Sequence, residues 1–277
     1  MTIATRDQLI DGLGNNSSRL VIDKASIASQ AAGTFVSLWR ATGQPGQGAI
    51  PAAAAACNNA LTGAFQFTQQ TAPATSYGAY LEAATGNAAM TVEIHDRLAH
   101  MGGLSGTVTT AQTVGIDFSA LSGDNFAARI GDANYSDILW WLEWYTATGS
   151  TAVTATVAVT YNDGTTGTLA ASLAATRPAS FMLPLNGLIP SAGAGKFIRG
   201  ITSVQLSATS GTAGSFGVTA TRPRMTIGCP IANFKFIADW AQLGLPKIYN
   251  GSCLFPIVLT STTSSGTVRG GGKIAHG

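Results

Sequence analysis

"TAVTATVAVTY", residues 151–161, alternates without a break. Val153, Ala155, Val157, Val159 and Tyr161 fall on one side of an extended chain; Ala152, Thr154, Thr156, Ala158 and Thr160 fall on the other. A period of two belongs to a strand, because a helix would scatter the same residues around its circumference. The stretch predicts a strand with one face on a core. "YNDGTTG" follows, and Asp163-Gly164 is a hairpin signal because glycine accepts positive φ. Beyond it, "TLAASLAA" (168–175), "ASFMLPLNGL" (179–188), "ITSVQLSAT" (201–209) and "GSFGVTAT" (214–221) read as short strands at sandwich-like intervals. On the N-terminal side, "SGTVTTAQTVGIDFSAL" (105–121) has no helical period and is rich in β-formers. The expectation is a mainly β chain with an antiparallel, jelly-roll-like β-sandwich over 106–228.

Immediately before this stretch lies "ILWWLEWYTATG" (138–149), with three of the five tryptophans. As a strand it puts Ile138, Trp140, Leu142 and Trp144 on one face, and Trp141, Glu143 and Tyr145 on the other. One face can fill the sandwich. The second face has three candidate covers: the chain's own terminal regions, a second subunit or particle protein, or a sugar. Interfaces favour Trp and Tyr. A glycan platform would combine Trp141 and Tyr145 with the nearby Asp132 and Asp137. Those aspartates also sit in turn sequences ("GDAN", "YSD"), where Asp bonds its own backbone.

Outward from the strands the pattern loosens. Residues 1–105 read as an N-terminal helical and extended arm, with helices expected near 5–13, 24–43, 51–61 and 91–103 from apolar spacing, alanine content and cap residues. Residues 229–277 read as a C-terminal segment, with a helix within 231–246, a strand over 252–262 and an extended Gly-rich tail. "ATRP" occurs at 175–178 and 220–223, and proline at both places predicts strand exits. The tail offers no core of its own, so its Arg269 and Lys273 are expected at a subunit or particle interface, and its deletion is expected to spare the fold.

Composition narrows the function. The 277 residues are 45% hydrophobic but only 10% charged, against about 25% charged in an average soluble domain. Such a thin charge coat fits a protein packed against neighbours. Charge is also uneven: residues 1–163 carry −6 and residues 164–277 carry +8. Opposite halves could pair between copies, or mix within one fold. Cys57, Cys229 and Cys253 are widely separated, so they make neither a disulfide framework nor a zinc site and are expected buried and reduced. His95 and His100 are five apart, unlike a metal-binding i, i+4 pair. No G-x-S-x-G elbow occurs, and "GTVRGGGK" lacks the order of a phosphate loop. The reading is therefore of a non-enzyme with no catalytic residue, cofactor or metal. No apolar run approaches ~20 residues, so a membrane role is not expected. Nucleic acid is not expected as the main partner, because basic and aromatic residues do not interleave. The N-terminal 16 residues lack the apolar core of a signal peptide, which predicts synthesis in the cytoplasm.

Four stretches carry a resemblance: "HDRLAHMGGLSGTVTTAQTV", "DILWWLEWYTATGSTAVTATVAVTYNDGTTGTL", "GKFIRGITSVQLSATSGTAGSFGVTATRP" and "LFPIVLTSTTSSGTVRGGGKIAHG". Together they resemble tailed-bacteriophage virion proteins, over most of the chain from about residue 75 onward. The resemblance implies a structural component of the virion, made in the host bacterial cytoplasm, that associates with copies of itself and with other virion proteins. It implies capsid decoration or a minor capsid role first, and a tail, neck or collar component second. A glycan-binding receptor module is the alternative from another class.

Overall fold

The computed structural model describes residues 3–277. The fold is mainly β, with 44% of residues in strands, 9% in helices and antiparallel sheets. The described residues form two compact units, each assembled from separated segments: 3–49, 58–96 and 223–277 in the first, 50–57 and 97–222 in the second. Two of the four boundaries, at 96/97 and 222/223, lie inside the long strands Met90–Leu104 and Ser215–Cys229. The second unit overlaps the expected 106–228 block. The expected flanking blocks do not stand apart: residues 229–277 and most of 1–105 contribute to the first unit, while 50–57 and 97–105 belong to the second.

In the second unit the alternating stretch forms the strand Val153–Tyr161. It lies between Thr166–Leu173 and Ile198–Leu206, with Gln112–Asp117 beyond. Gly164 turns the first hairpin at φ 84°, which accounts for the Asp-Gly signal. Facing this sheet is a layer in which Leu139–Thr146 pairs with Phe181–Pro184 and with residues 215–221. Val157, Ala155, Ile201 and Val204 come from one layer and Trp140, Leu142, Phe216 and Val218 from the other, and together they form one buried core. Each fully buried aliphatic side chain stabilises by about 1.5–3 kcal/mol. Trp144 stacks on Phe216 at a centroid distance of 5.5 Å, and Phe118 on Trp140 at 5.0 Å. This unit is a β-sandwich.

The first unit is a second two-layer arrangement. One sheet runs Phe236–Asp239, Ser76–Thr85, Val268–His276, Ser17–Lys24, Gly43–Gln44, with Lys247–Ile248 also on Ser76–Thr85. The other layer pairs Leu254–Leu259 with Phe35–Ser37 and with residues 91–96. Leu20, Ile22, Leu81 and Val268 pack against Val36, Val92, Ile94 and Val258 between them. Lys24 is drawn inward, its ammonium donating to the carbonyls of Ala41 (3.0 Å), Pro45 (2.6 Å) and Gly46 (3.4 Å).

Several expectations are corrected here. The helix near 5–13 forms as Arg6–Asn15, opened by a Thr5–Gln8 capping box. The other expected helices of the arm do not form. Gly33, at φ 74°, interrupts 24–43, and Leu38 and Trp39 turn into the core from irregular backbone. Only Ala55–Ala56 of the alanine run is regular, paired with His100 and Ala99. Alanine propensity alone cannot hold a short helix that has no apolar stripe to bury. Residues 91–103 belong to a strand, because β-branched Val92 and Ile94 alternate and find partners in Leu254–Leu259. Residues 231–246 give a strand, Phe236–Asp239, and one helical turn, Trp240–Leu243. The first "ATRP" follows a strand end, whereas the second lies within Ser215–Cys229, where the chain changes unit.

The largest difference concerns the tail. Val268–His276 is an interior strand, flanked on one side by Ser17–Lys24 and on the other by Ser76–Thr85. Its glycines explain why composition misled: a Cβ on Gly270 would run into the backbone oxygen of Glu82, and one on Gly272 would lie 2.9 Å from the Tyr80 oxygen. Glycine here permits close strand approach, not freedom.

Candidate interaction surface

The second face of the tryptophan strand is closed by the chain itself. Trp141, Glu143 and Tyr145 are 2%, 0% and 3% exposed, so they are available neither to a sugar nor to a second subunit. Arg97, on the strand Met90–Leu104, lies over this face. Its guanidinium donates to both oxygens of Glu143 (2.6 and 3.3 Å), to the Tyr145 hydroxyl (2.9 Å) and to Thr219 Oγ1 (3.1 Å). Nε donates to His100 Nδ1 at 3.0 Å. Trp141 Nε1 donates to Thr221 Oγ1 at 2.8 Å. Burial opposes the Arg97 charge, but the interactions with Glu143, Tyr145 and Cys57 together raise the guanidinium above its ordinary value. Burial and the Glu143 charge push the Tyr145 phenol up. Arg129 anchors the covering segment, donating to the carbonyls of Cys57 (2.8 Å) and Arg97 (3.1 Å). This cluster is a polar clasp inside a core.

The aspartates do not join a platform either. Asp132 accepts from the Asn134 amide at 2.7 Å, as a turn residue does, and Asp137 accepts from Arg222 at 2.6 Å. Among the described residues no group of three or more metal-ligating side chains is brought together. Cys57, Cys229 and Cys253 are all buried, as expected. No helix of the described residues is long and apolar enough to cross a membrane.

The uneven charge is largely settled within the chain. Arg199–Asp117 (3.0 Å), Arg222–Asp137 (2.6 Å), Lys196–Asp163 (2.8 Å), Lys235–Glu82 (3.0 Å) and Arg269–Asp23 (3.3 Å) each join the basic part of the sequence to the acidic part. Arg269 is therefore an exposed pair with Asp23, and Lys273 donates to the Leu13 carbonyl at 3.2 Å. Both remain at the surface of the six-stranded sheet. The charge halves therefore mix within one fold.

What stays exposed is elsewhere. Ile231, Phe234, Ile237 and Trp240, 39–56% exposed, form an apolar run at and around the strand Phe236–Asp239. That strand is the edge of the six-stranded sheet. Next to it, the register sets Arg19, Lys273, Tyr80 and Asp239 in one cross-strand row, and Val21, Gly271, Glu82 and Ile237 in the next. Gly271 leaves the second row without a side chain, which opens a groove of about 500 Å³ beside Trp240, Tyr80, Arg19 and Lys273. Tyr80 donates to Glu82 at 2.8 Å, and this bond, more than Lys235, holds the Glu82 carboxyl below its usual value. The sequence had offered a signal for this surface: four large apolar residues lie within ten positions, with only a one-turn helix to use them.

No family model and no curated protein matches the chain. Among solved structures, a chain in the structure of the infectious bursal disease virus Gt strain is 12% identical, with 94% of this chain and 81% of that one covered and a TM-score of 0.21. The infectious bursal disease virus VP2 subviral particle gives 12% identity, 94% and 79% coverage, and 0.21. The Gx strain of the same virus gives 10%, 97% and 85%, and 0.21. Similarities at this level leave fold and function to be argued from the chain's own residues.

Proposed function

We propose that this protein is a structural component of a tailed-bacteriophage particle that self-associates and packs on the virion, as capsid decoration or a minor capsid protein. The observation that carries the reading is the apolar edge at 231–240, on a chain with only 10% charged residues. An exposed edge strand is a template for another chain, and Ile237 on this one is 54% exposed. The resemblance of the four quoted stretches to phage virion proteins supports the particle as the setting. The proposed work is mechanical, with the edge strand Phe236–Asp239 offered to a neighbouring copy. A tail, neck or collar position is the second placement within the same class. The test is mass spectrometry of density-purified particles from the phage that encodes the chain. A fixed, stoichiometric copy number is expected, and absence from intact particles would overturn the reading.

The glycan alternative moves from the tryptophan strand to the groove beside Trp240, where an exposed indole adjoins Tyr80, Arg19 and Lys273. Retention on an acidic polysaccharide that Trp240→Ala abolishes would favour it.

A further inference from the structure

Resting on the self-association reading, we infer that two copies join through Phe236–Asp239 as a two-fold antiparallel strand pair centred on Ile237, continuing the six-stranded sheet into its partner. The edge has the right backbone. Phe236–Asp239 pairs on one side only, with Ser76–Thr85, in the register Phe236↔Ala83 to Asp239↔Tyr80. In an antiparallel ladder the residues alternate between bonding one neighbour and facing away. The Asp239 amide bonds Gln242 Oε1 at 3.2 Å, so it faces away from Tyr80. By the same alternation, the N–H and C=O of Ile237 also point outward, towards a strand not present in the monomer.

The side chains then decide which strand. A two-fold axis through Ile237 places each Lys235 opposite Asp239 of the partner subunit, and each Phe236 opposite the partner's Ala238. At the ends it brings each Phe234 towards Trp240 of the partner subunit. Opposite charges and aromatic pairs facing across strands are both favourable, and a patch that complements itself is what a two-fold interface requires. The groups needed are available. Lys235 is half exposed and donates one bond, to Glu82. Asp239 uses Oδ1 to cap Ala241 and Gln242, which leaves Oδ2 for a cation. Ile237, 54% exposed, would meet its own copy at the axis.

The test is a cysteine at the axis together with a charge at the axis. Cross-strand Cα atoms at a hydrogen-bonded pair lie about 5.5 Å apart, within disulfide reach. All three native cysteines are buried, so Ile237→Cys adds the one exposed thiol. Under mild oxidation the full chain carrying Ile237→Cys should convert to a covalent dimer, while Val21→Cys, exposed on the same sheet away from the edge, should not. Ile237→Lys should weaken dimerisation at least tenfold in sedimentation equilibrium with unchanged circular dichroism. An oligomer that survives Ile237→Lys, or cross-links no better at 237 than at 21, would overturn this edge while leaving self-association standing. A native protein that sediments as a monomer at every concentration would overturn both.

Discussion

Arg97 grips Glu143 with two parallel hydrogen bonds, the shorter 2.6 Å, and both side chains are at most 1% exposed. The pair fixes how the strand that carries it lies over Trp141 and Tyr145, and it converts what reads as a binding face into interior.

Breaking the pair from one side leaves a buried charge without its partner. Glu143→Leu should cost about 3–5 kcal/mol, whereas replacing both residues, Arg97→Met with Glu143→Leu, should recover most of that loss. Urea unfolding followed by tryptophan fluorescence checks both, and equal losses for the single and double variants would mean that the pair is not coupled.

His276 is a second buried polar point, with Nε2 2.7 Å from Ser18 Oγ and Nδ1 2.8 Å from Ser76 Oγ. Burial pushes its pKa below the ordinary 6.5. The unfolded chain therefore takes up the proton first as pH falls, so stability is fully present above about pH 6.5 and declines below it, down to the folded value. The melting temperature should drop between neutral and mildly acidic pH. His276→Gln should flatten that part of the profile, and an unchanged slope in the variant would assign the loss to other groups.

The Gly-rich strand should behave as core. Removing residues 262–277 deletes an interior strand, including Val268 and Ile274, both 0% exposed. The truncated chain should lose cooperative unfolding and bind a hydrophobic dye. Gly270→Val should do the same in milder form. Arg269→Ala, which breaks only the exposed pair with Asp23, should change stability by less than about 1 kcal/mol. A well-folded truncated monomer would contradict the sheet order.

How much the sequence disclosed follows from how local each signal is. The strand at 153–161 and its Asp-Gly hairpin need only neighbouring residues, so both are legible, and so is the capped first helix. Residues 91–103 carry apolar groups whose spacing fits a loose helix or a strand. Their pairing with Leu254–Leu259, some 160 positions away, decides between them, and no local pattern reports it. Gly270 to Gly272 read as a flexible tail because composition cannot distinguish glycine that loosens a chain from glycine that lets two strands approach. The Trp141 face was recognised as needing cover. The identity of that cover depends on Arg97, whose role appears only once the strands are paired. The exposed edge is the reverse case: residues 231–246 suggest a helix, but they form the strand Phe236–Asp239 and a single helical turn, Trp240–Leu243.

The most direct test of the account is the mass of the native protein in solution, by light scattering at low and at high salt. Because five ion pairs already join the acidic and basic halves within the chain, and the proposed contact is centred on apolar Ile237 with the Lys235–Asp239 pairs only flanking it, a discrete oligomer of the same mass is predicted at both. A monomer at both would contradict the claim that this surface exists to join copies, and an oligomer that dissolves in high salt would show that charge pairs, not the apolar contact at Ile237, carry the association.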